Sequence, residues 1–579
     1  MKDTIRTEVN NIIVKMGLEA PADILIDYPT EMSRGDLYTN VAMMLAKKAG
    51  KNPIELANEI ADELKKLSIK NVTNILAEKP GFINFSIADE YFDSVIKTVL
   101  HEKIHYGKNH SLKGKKLVVE FTDPNPFKIF HIGHLMSNCI GESLSRLVEW
   151  TGADVKRFCF QGDVGRHIAL TIYGLRLMDE KFPDDNATAK EKVDFFGKSY
   201  AKGATYFKEH PEIEAEVQEI NKKIYERSDA EVNEIYDKGR EWSLEYFEEI
   251  YKILGTKFDR YFFESESSGP GIKAVNEGLS MGIFEKSEGA IIFNAEKYGL
   301  HTDVLITKVG LPTYAGKEIG LAEMKYNAFP YDTGITVTAN EQNAFFKLTI
   351  KANELLFPFL QGKLRHISHG MMKLPEGKMS SRTGDIIAGR DFIDETVSAV
   401  LEKMSDRKMS DEDKKVISEE IAVSAIKFSI LKQTLGKDIV FDRSKALSFE
   451  GDSGPYIQYS FVRAGSVLRK GEENGHVIDE NFIAKIQNDI VISDSVTNDT
   501  ENVLKRLISR FPDVVIRAQS EYAPHYVAQY LLSLSAAFNG FYAGSQIANS
   551  LERLALTKAF QFTVHNALWL LGIKVPKEM

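Results

Sequence analysis

Leu117-Val118-Val119-Glu120-Phe121-Thr122-Asp123-Pro124-Asn125-Pro126-Phe127-Lys128-Ile129-Phe130-His131-Ile132-Gly133-His134 is the stretch on which the reading of this chain turns. An apolar strand signal enters a loop rich in Pro and Asn, and a helix signal follows from about His131 to Trp150, stopped by Gly152. Val155 to Phe160 reads as the next strand, with Gly162-Asp163-Val164-Gly165 as the turn beyond it. Strand, loop, helix and strand predict the nucleotide-binding half of a doubly wound parallel sheet of Rossmann type.

His131 and His134 fall three residues apart in the first turn of that helix, on nearly one face. Unpaired amides and the positive end of the helix dipole already favour an anion there. Two imidazoles add donors that can follow charge as it builds on phosphorus, and Gly133 lets a nucleotide approach the backbone. An isolated pair at this spacing would merely cap a surface helix. Here the buried strand, the proline-rich turn, Lys128 and the intervening glycine all agree with phosphate chemistry.

Outward from this stretch the chain divides into three. Residues 1–107 form a small α/β domain, with Asn52-Pro53 opening an amphipathic helix and Lys79-Pro80-Gly81 turning into the strand signal Phe82-Ile83-Asn84-Phe85. Residues 108–390 form the Rossmann-type domain, carrying a densely charged helical insertion near 176–255. Sheet signals return at Ile291-Ile292-Phe293, Val304-Leu305-Ile306 and Ile335-Thr336-Val337, as if the open sheet resumed. Residues 391–579 read as an α-helical bundle. The fold class is therefore multidomain α/β.

At 579 residues the chain is too long for one core. Its net charge of −10 excludes a uniformly basic nucleic-acid coat, leaving local basic patches as the route to such a partner. Two cysteines, Cys139 and Cys159, cannot build a disulfide framework or a four-cysteine zinc site. The first residues lack a cleavable apolar leader and no span has membrane length, so the expected location is the cytoplasm.

Gly377-Lys378-Met379-Ser380-Ser381-Arg382-Thr383-Gly384 sets cations and hydroxyls between two glycines, as a loop closing on a triphosphate requires. Alone it is a basic turn; paired with the histidine motif it reads as the second half of an ATP site. Together His131-Ile132-Gly133-His134 and Lys378-Met379-Ser380 resemble the two signatures of class I aminoacyl-tRNA synthetases. The surroundings resemble the arginyl-tRNA synthetases: Glu120 to Asn125, Gly162 to Arg166, Pro312-Thr313-Tyr314 and Tyr456-Ile457-Gln458-Tyr459.

That resemblance implies an arginine–tRNA ligase that makes arginyl-adenylate from L-arginine and ATP and passes arginine to the 3′-terminal ribose of tRNA(Arg). It implies ATP contacts from Lys128, His131, Gly133, His134, Lys378, Met379, Ser380 and Ser381, with Lys128 replacing the lysine usual at the position of Ser381. It places Glu120, Asn125, Tyr314, Glu318 and Gln342 around arginine. Such a pocket suits a planar fork of guanidinium donors. Phe82 and Asn84 are implied at the tRNA elbow, and Tyr456, Tyr459, Arg463 and the terminal Met579 at the anticodon arm. Mg²⁺ is expected to arrive with ATP, with no zinc and no dedicated protein metal site, and the chain is expected to act as a monomer away from membranes. A nucleotidylyltransferase, a cysteine-specific synthetase and a catalytically silent tRNA binder remain the alternatives.

Overall fold

A computed structural model describes residues 1–184, 186–375, 387–488 and 499–578, in two compact units. One comprises Met1–Tyr106, Ala464–Phe511 and Ala536–Thr563; the other Gly107–Arg463, Pro512–Ser535 and Val564–Met579. No helix among the described residues is long and apolar enough to cross a membrane.

In the first unit, α1 (Lys2–Lys15), α2 (Val41–Ala49), α3 (Pro53–Lys65) and α4 (Asp89–Glu102) accompany an antiparallel sheet of β1 (Leu37–Thr39), β2 (Val72–Glu78) and β3 (Phe82–Ile87), in the order β1-β3-β2. Asn52 caps α3 by accepting from Ile54 N at 3.2 Å, and Pro53 takes the first helical position, where a missing N–H costs nothing. Leu56, Ala57, Ile60, Ala61 and Leu64 then face the core. Helix Asp499–Ser509 belongs to the same unit. Its buried Lys505 pairs with Asp93 at 2.6 Å, while Arg506 reaches Asp36 at 2.7 Å and Asp89 at 3.0 Å.

The second unit is built on five parallel strands, β4 (Lys116–Glu120), β5 (Asp154–Gln161), β6 (Arg260–Phe263), β10 (Thr333–Ala339) and β11 (Leu364–His369), in the order β11-β10-β4-β5-β6. Between β4 and β5 runs α5 (Ile132–Trp150), and α6 (Arg166–Arg176) follows β5. The insertion is α7 (Ala189–Glu209), α8 (Glu214–Glu226) and α9 (Ala230–Leu254), whose apolar faces close a core of Phe196, Val217, Ile220, Val232, Tyr236 and Trp242. After α10 (Glu264–Ser280) the returning sheet signals divide. Ile291–Phe293 and Val304–Ile306 lie in β8 (Ala290–Phe293) and β9 (Asp303–Ile306), which join β7 (Glu285–Ser287) in a separate antiparallel sheet. Only Ile335–Val337 enters the parallel sheet, in β10 beside β4. Short apolar runs carry no information about which sheet they join, and the expectation of one resumed sheet is corrected for these two.

Helix α11 (Tyr314–Ala328) leads into β10, and α12 (Asn343–Leu356) links it to β11. Beyond β12 (Met372–Lys373) come α13 (Gly389–Lys403), α14 (Asp411–Leu431) and β13 (Ile439–Val440). Within this unit α5 is anchored far from its histidines. Ser143 Oγ donates to Leu570 O at 2.9 Å and Arg146 to Trp569 O at 3.0 Å. The buried Lys427 of α14 donates to Leu254 O at 2.5 Å and Gly572 O at 2.6 Å, satisfying carbonyls at the ends of two helices.

Burial holds the Lys427 ammonium down to about 8. From there to the ordinary lysine value the unfolded chain binds more protons than the folded one, so this group's contribution to stability grows as pH rises. Lys427→Met leaves two buried carbonyls unpaired and should lower the melting temperature, by about 1–3 kcal/mol of stability per lost partner. Calorimetry should show the gap between parent and variant widening from about pH 7 to about pH 9.5; a constant gap would contradict it.

Candidate active site

The loop between β4 and α5 is held in strained backbone. Thr122, Asp123 and Phe127 adopt φ of 79°, 46° and 65°, in the left-handed region that side chains disfavour. Each is tied down by a hydrogen bond from elsewhere in the same unit. Thr122 N donates to Ser137 Oγ at 3.0 Å, Phe160 N to Asp123 Oδ1 at 2.8 Å, and Phe127 N to Ser243 Oγ at 3.0 Å. The insertion helix α9, source of Ser243, thus helps set the loop's path.

His131 is the N-cap of α5. Its Nδ1 accepts from Gly133 N at 3.1 Å, and His134 Nδ1 accepts from His131 N at 3.1 Å. An accepting Nδ1 carries no proton, so each neutral ring carries its proton on Nε2. The rings stack with centroids 3.6 Å apart, presenting two N–H donors side by side. Burial, then the Lys128 charge, lowers His131; burial, then His131 and Lys128, holds His134 well below the usual imidazole range. Both are neutral donors at neutral pH.

These rings line a cleft of about 570 Å³ with Thr122, Asp123, Gly133, Gln342, His369 and Met372. It opens where the strand order reverses between β4 and β10, the position at which doubly wound sheets bind ligands. Ile387 also lines it, and the backbone at Phe130–Ile132 pairs with that at Ile387–Gly389: Ile132 N donates to Ile387 O at 3.1 Å and Gly389 N to Phe130 O at 2.6 Å. Lys378, Met379, Ser380 and Ser381 lie outside the described residues, as does Met579.

Lys128 is half-buried and does not itself line the cleft, but its charge acts on His131, His134 and His167. Glu120 and Glu318 meet at Lys325, 3.1 and 3.5 Å from its ammonium. Burial, with Glu120 next, pushes the nearby Asp123 carboxyl well up, and burial raises Glu318 to about 7. Three carboxylates therefore share one lysine, and the cluster lacks cationic charge. Asn125 Oδ1 accepts from Gly162 N at 3.0 Å, beside a buried pair of Glu264 and Lys317 at 2.8 Å. Tyr314 opens α11 and is 70% exposed. Gln342 reaches the cleft from a turn before α12.

Elsewhere in that unit Tyr456, Tyr459 and Arg463 follow the helix start at Gly454, half-buried, with Arg463 over the Tyr459 ring at 4.6 Å. In the first unit Phe82 is half-buried and edge-on to Tyr38, and the buried Asn84 donates to Glu78 at 2.8 Å. Sequence reasoning missed Lys325, Glu264, Lys317 and His369. Charged residues along a helix such as α11 read as a solvated face, and no local pattern marked them as buried.

Fold and cleft together define a protein of the doubly wound α/β class, with a cleft at the switch point of its parallel sheet and paired histidines at the helix start that lines it. Residues 95–443 match the family described as tRNA synthetases class I (R), catalytic domain; residues 3–87 match the arginyl tRNA synthetase N terminal domain and 457–579 the DALR anticodon binding domain. Arginine–tRNA ligase of Treponema denticola is 31% identical, covering 95% of this chain and 93% of its own; that of Clostridium acetobutylicum is 29% identical over the whole of both. The Thermus thermophilus arginyl-tRNA synthetase structure superimposes with a TM-score of 0.80 at 22% identity over all of both chains. The chain belongs to the arginyl-tRNA synthetase family of class I.

A Cβ on Gly133 would stand 2.9 Å from His131 Cε1 and 3.0 Å from His131 Nδ1, closer than packing tolerates. Gly133→Ala should therefore tilt the ring off its cap and lower the rate of arginine activation by about tenfold or more, the scale of a displaced charge-stabilising donor. Steady-state kinetics check this, with an unchanged rate as the contrary result.

Proposed function

We infer that the stacked imidazoles of His131 and His134 are the groups through which this arginine–tRNA ligase stabilises the transition state of adenylate formation. The observation carrying that reading is the bonding of both Nδ1 atoms to backbone amides, which turns both Nε2–H groups into fixed donors at the start of α5. The arginine carboxylate oxygen attacks the α-phosphorus of ATP, the bond to the β-phosphate bridge breaks, and pyrophosphate leaves. A ribose hydroxyl at the tRNA 3′ end then attacks the carbonyl carbon, releasing AMP. Protein groups orient and neutralise; none becomes covalently bound.

Lys128 and Lys378 supply cationic charge to the phosphates, aided by Met379, Ser380 and Ser381, and Mg²⁺ accompanies ATP. Glu120, Asn125, Tyr314, Glu318 and Gln342 receive arginine. The cation-poor cluster at Lys325 supports this, since a guanidinium supplies the charge that three carboxylates and one ammonium lack. Residues 1–107, with Phe82 and Asn84, meet the tRNA elbow; residues 391–579, with Tyr456, Tyr459, Arg463 and Met579, meet the anticodon arm; residues 108–390 carry the chemistry. The chain works as a cytoplasmic monomer.

ATP–pyrophosphate exchange, measured with arginine in the presence and absence of total tRNA, tests the reading. Arginine-dependent exchange is expected, and silence in both conditions would favour a tRNA-binding relative without activity. In the same assay Lys128→Ala should cut the exchange rate about a hundredfold, the scale of a lost transition-state contact, with arginine affinity by calorimetry little changed. An undiminished rate would remove Lys128 from the phosphates.

A further inference from the structure

Three carboxyl side chains gather round a single ammonium at the end of β4. Glu120 closes that strand, Asp123 follows in the strained loop, and Glu318 and Lys325 lie two turns apart on α11. Lys325 Nζ is 3.1 Å from Glu120 Oε2 and 3.5 Å from Glu318 Oε1, and none of these three side chains is more than 10% exposed. Asp123 lines the cleft itself, with its Oδ1 accepting from Phe160 N at 2.8 Å. Asp123 is not among the residues that the resemblance implies around arginine. Its carboxyl nevertheless feels Glu120, Lys325 and Glu318.

The other groups around this cluster do not make up its missing charge. Thr336 Oγ1 of β10 donates to Glu120 Oε1 at 3.4 Å, and the buried Tyr331 is neutral. Arg365 of β11 lines a small cavity beside Glu318 and Lys325, but it is exposed, with its guanidinium 5.9 Å from the Tyr522 ring. The Lys128 and Lys317 ammonium groups act on Glu264. His131, His134 and His369, which line the cleft, are held below the ordinary imidazole value, chiefly by burial, and are neutral at neutral pH. Three ionised carboxylates against one ammonium would leave two negative charges unmatched, a cost that closely spaced carboxyls avoid by keeping a proton. Burial, with Glu120 next, holds Asp123 well up, and burial raises Glu318 to about 7. The proton belongs to the cluster rather than to one carboxyl.

A guanidinium keeps its charge across the whole range in which carboxyls titrate. We propose that arginine and a proton compete for the cluster of Glu120, Asp123 and Glu318. As the amino acid enters, one carboxyl O–H bond breaks, the proton leaves to solvent, and the carboxylate so formed accepts from the cation. Asp123 is the third carboxyl that makes the competition necessary. This rests on the reading of Glu120 and Glu318 as part of the arginine pocket. Lower pH favours the protonated cluster, so acid weakens arginine binding, by about tenfold per pH unit where a whole proton is released. Citrulline, of similar shape but uncharged, leaves the proton in place, so acid also narrows the margin by which arginine is preferred.

The test is titration calorimetry of arginine into the full chain at about pH 6, 7 and 8.5, each in two buffers of different ionisation heat, which counts the protons released. The parent should release close to one proton at about pH 6, about half at pH 7 and almost none at pH 8.5, with a Kd that rises as the pH falls. Asp123→Asn, which keeps an oxygen for Phe160 N, and Glu318→Gln each remove one carboxyl and should release less than half as much as the parent at about pH 6. Carboxyls with a merely structural role would weaken binding alike at every pH and leave the count unchanged. A parent that binds arginine without releasing a proton at pH 6 or 7 overturns the proposal whatever the variants do, as does a parent-like count in both variants. A parent that binds no arginine at any of these pH values would instead remove the arginine reading on which the proposal stands. Because the count is taken per arginine bound, a partial loss of folded protein does not imitate either result.

Discussion

Two backbone amides at the start of α5 donate to two imidazole nitrogens, and the rest of the catalytic unit is arranged so that they can. Those bonds satisfy helix-end donors that would otherwise need water. They also decide where the ring protons sit, leaving both Nε2–H groups as donors beside the cleft. Burial and the Lys128 charge then keep the rings neutral, so each outer nitrogen holds the single ring proton and Nδ1 stays an acceptor.

Holding that turn requires strain elsewhere. Thr122, Asp123 and Phe127 would not adopt positive φ in an isolated loop, and each is held by a partner from a different element: α5 itself, β5 and α9. Further along α5, Ser143 and Arg146 bond to carbonyls near the end of the last helix of the unit. The helix that presents the imidazoles is thus positioned at both ends, its start by the strained loop and its later turns by the carbonyls of Trp569 and Leu570. Precision in the cleft is a property of the whole unit rather than of the motif.

Charge is arranged by the same logic. The chain is acidic overall, yet the balance that matters is local: Glu120, Asp123 and Glu318 gather round Lys325, while Glu264 is matched by Lys317. Burying unmatched carboxylates costs free energy, and that cost is what raises the Asp123 and Glu318 carboxyls.

What the sequence by itself determined is what local rules govern. The strand-loop-helix order, the Asn52-Pro53 helix start, the helical insertion and the placing of His131, Gly133 and His134 at one helix start follow from periodicity, caps and turn residues a few positions apart. Only the tertiary structure decided which strands joined which sheet, sending Ile291–Phe293 and Val304–Ile306 to a separate antiparallel one. It alone placed Lys325 between carboxylates from β4 and α11. Sheet partners and buried ion pairs depend on groups far away in the chain, and short-range patterns hold no record of which distant group will be the neighbour.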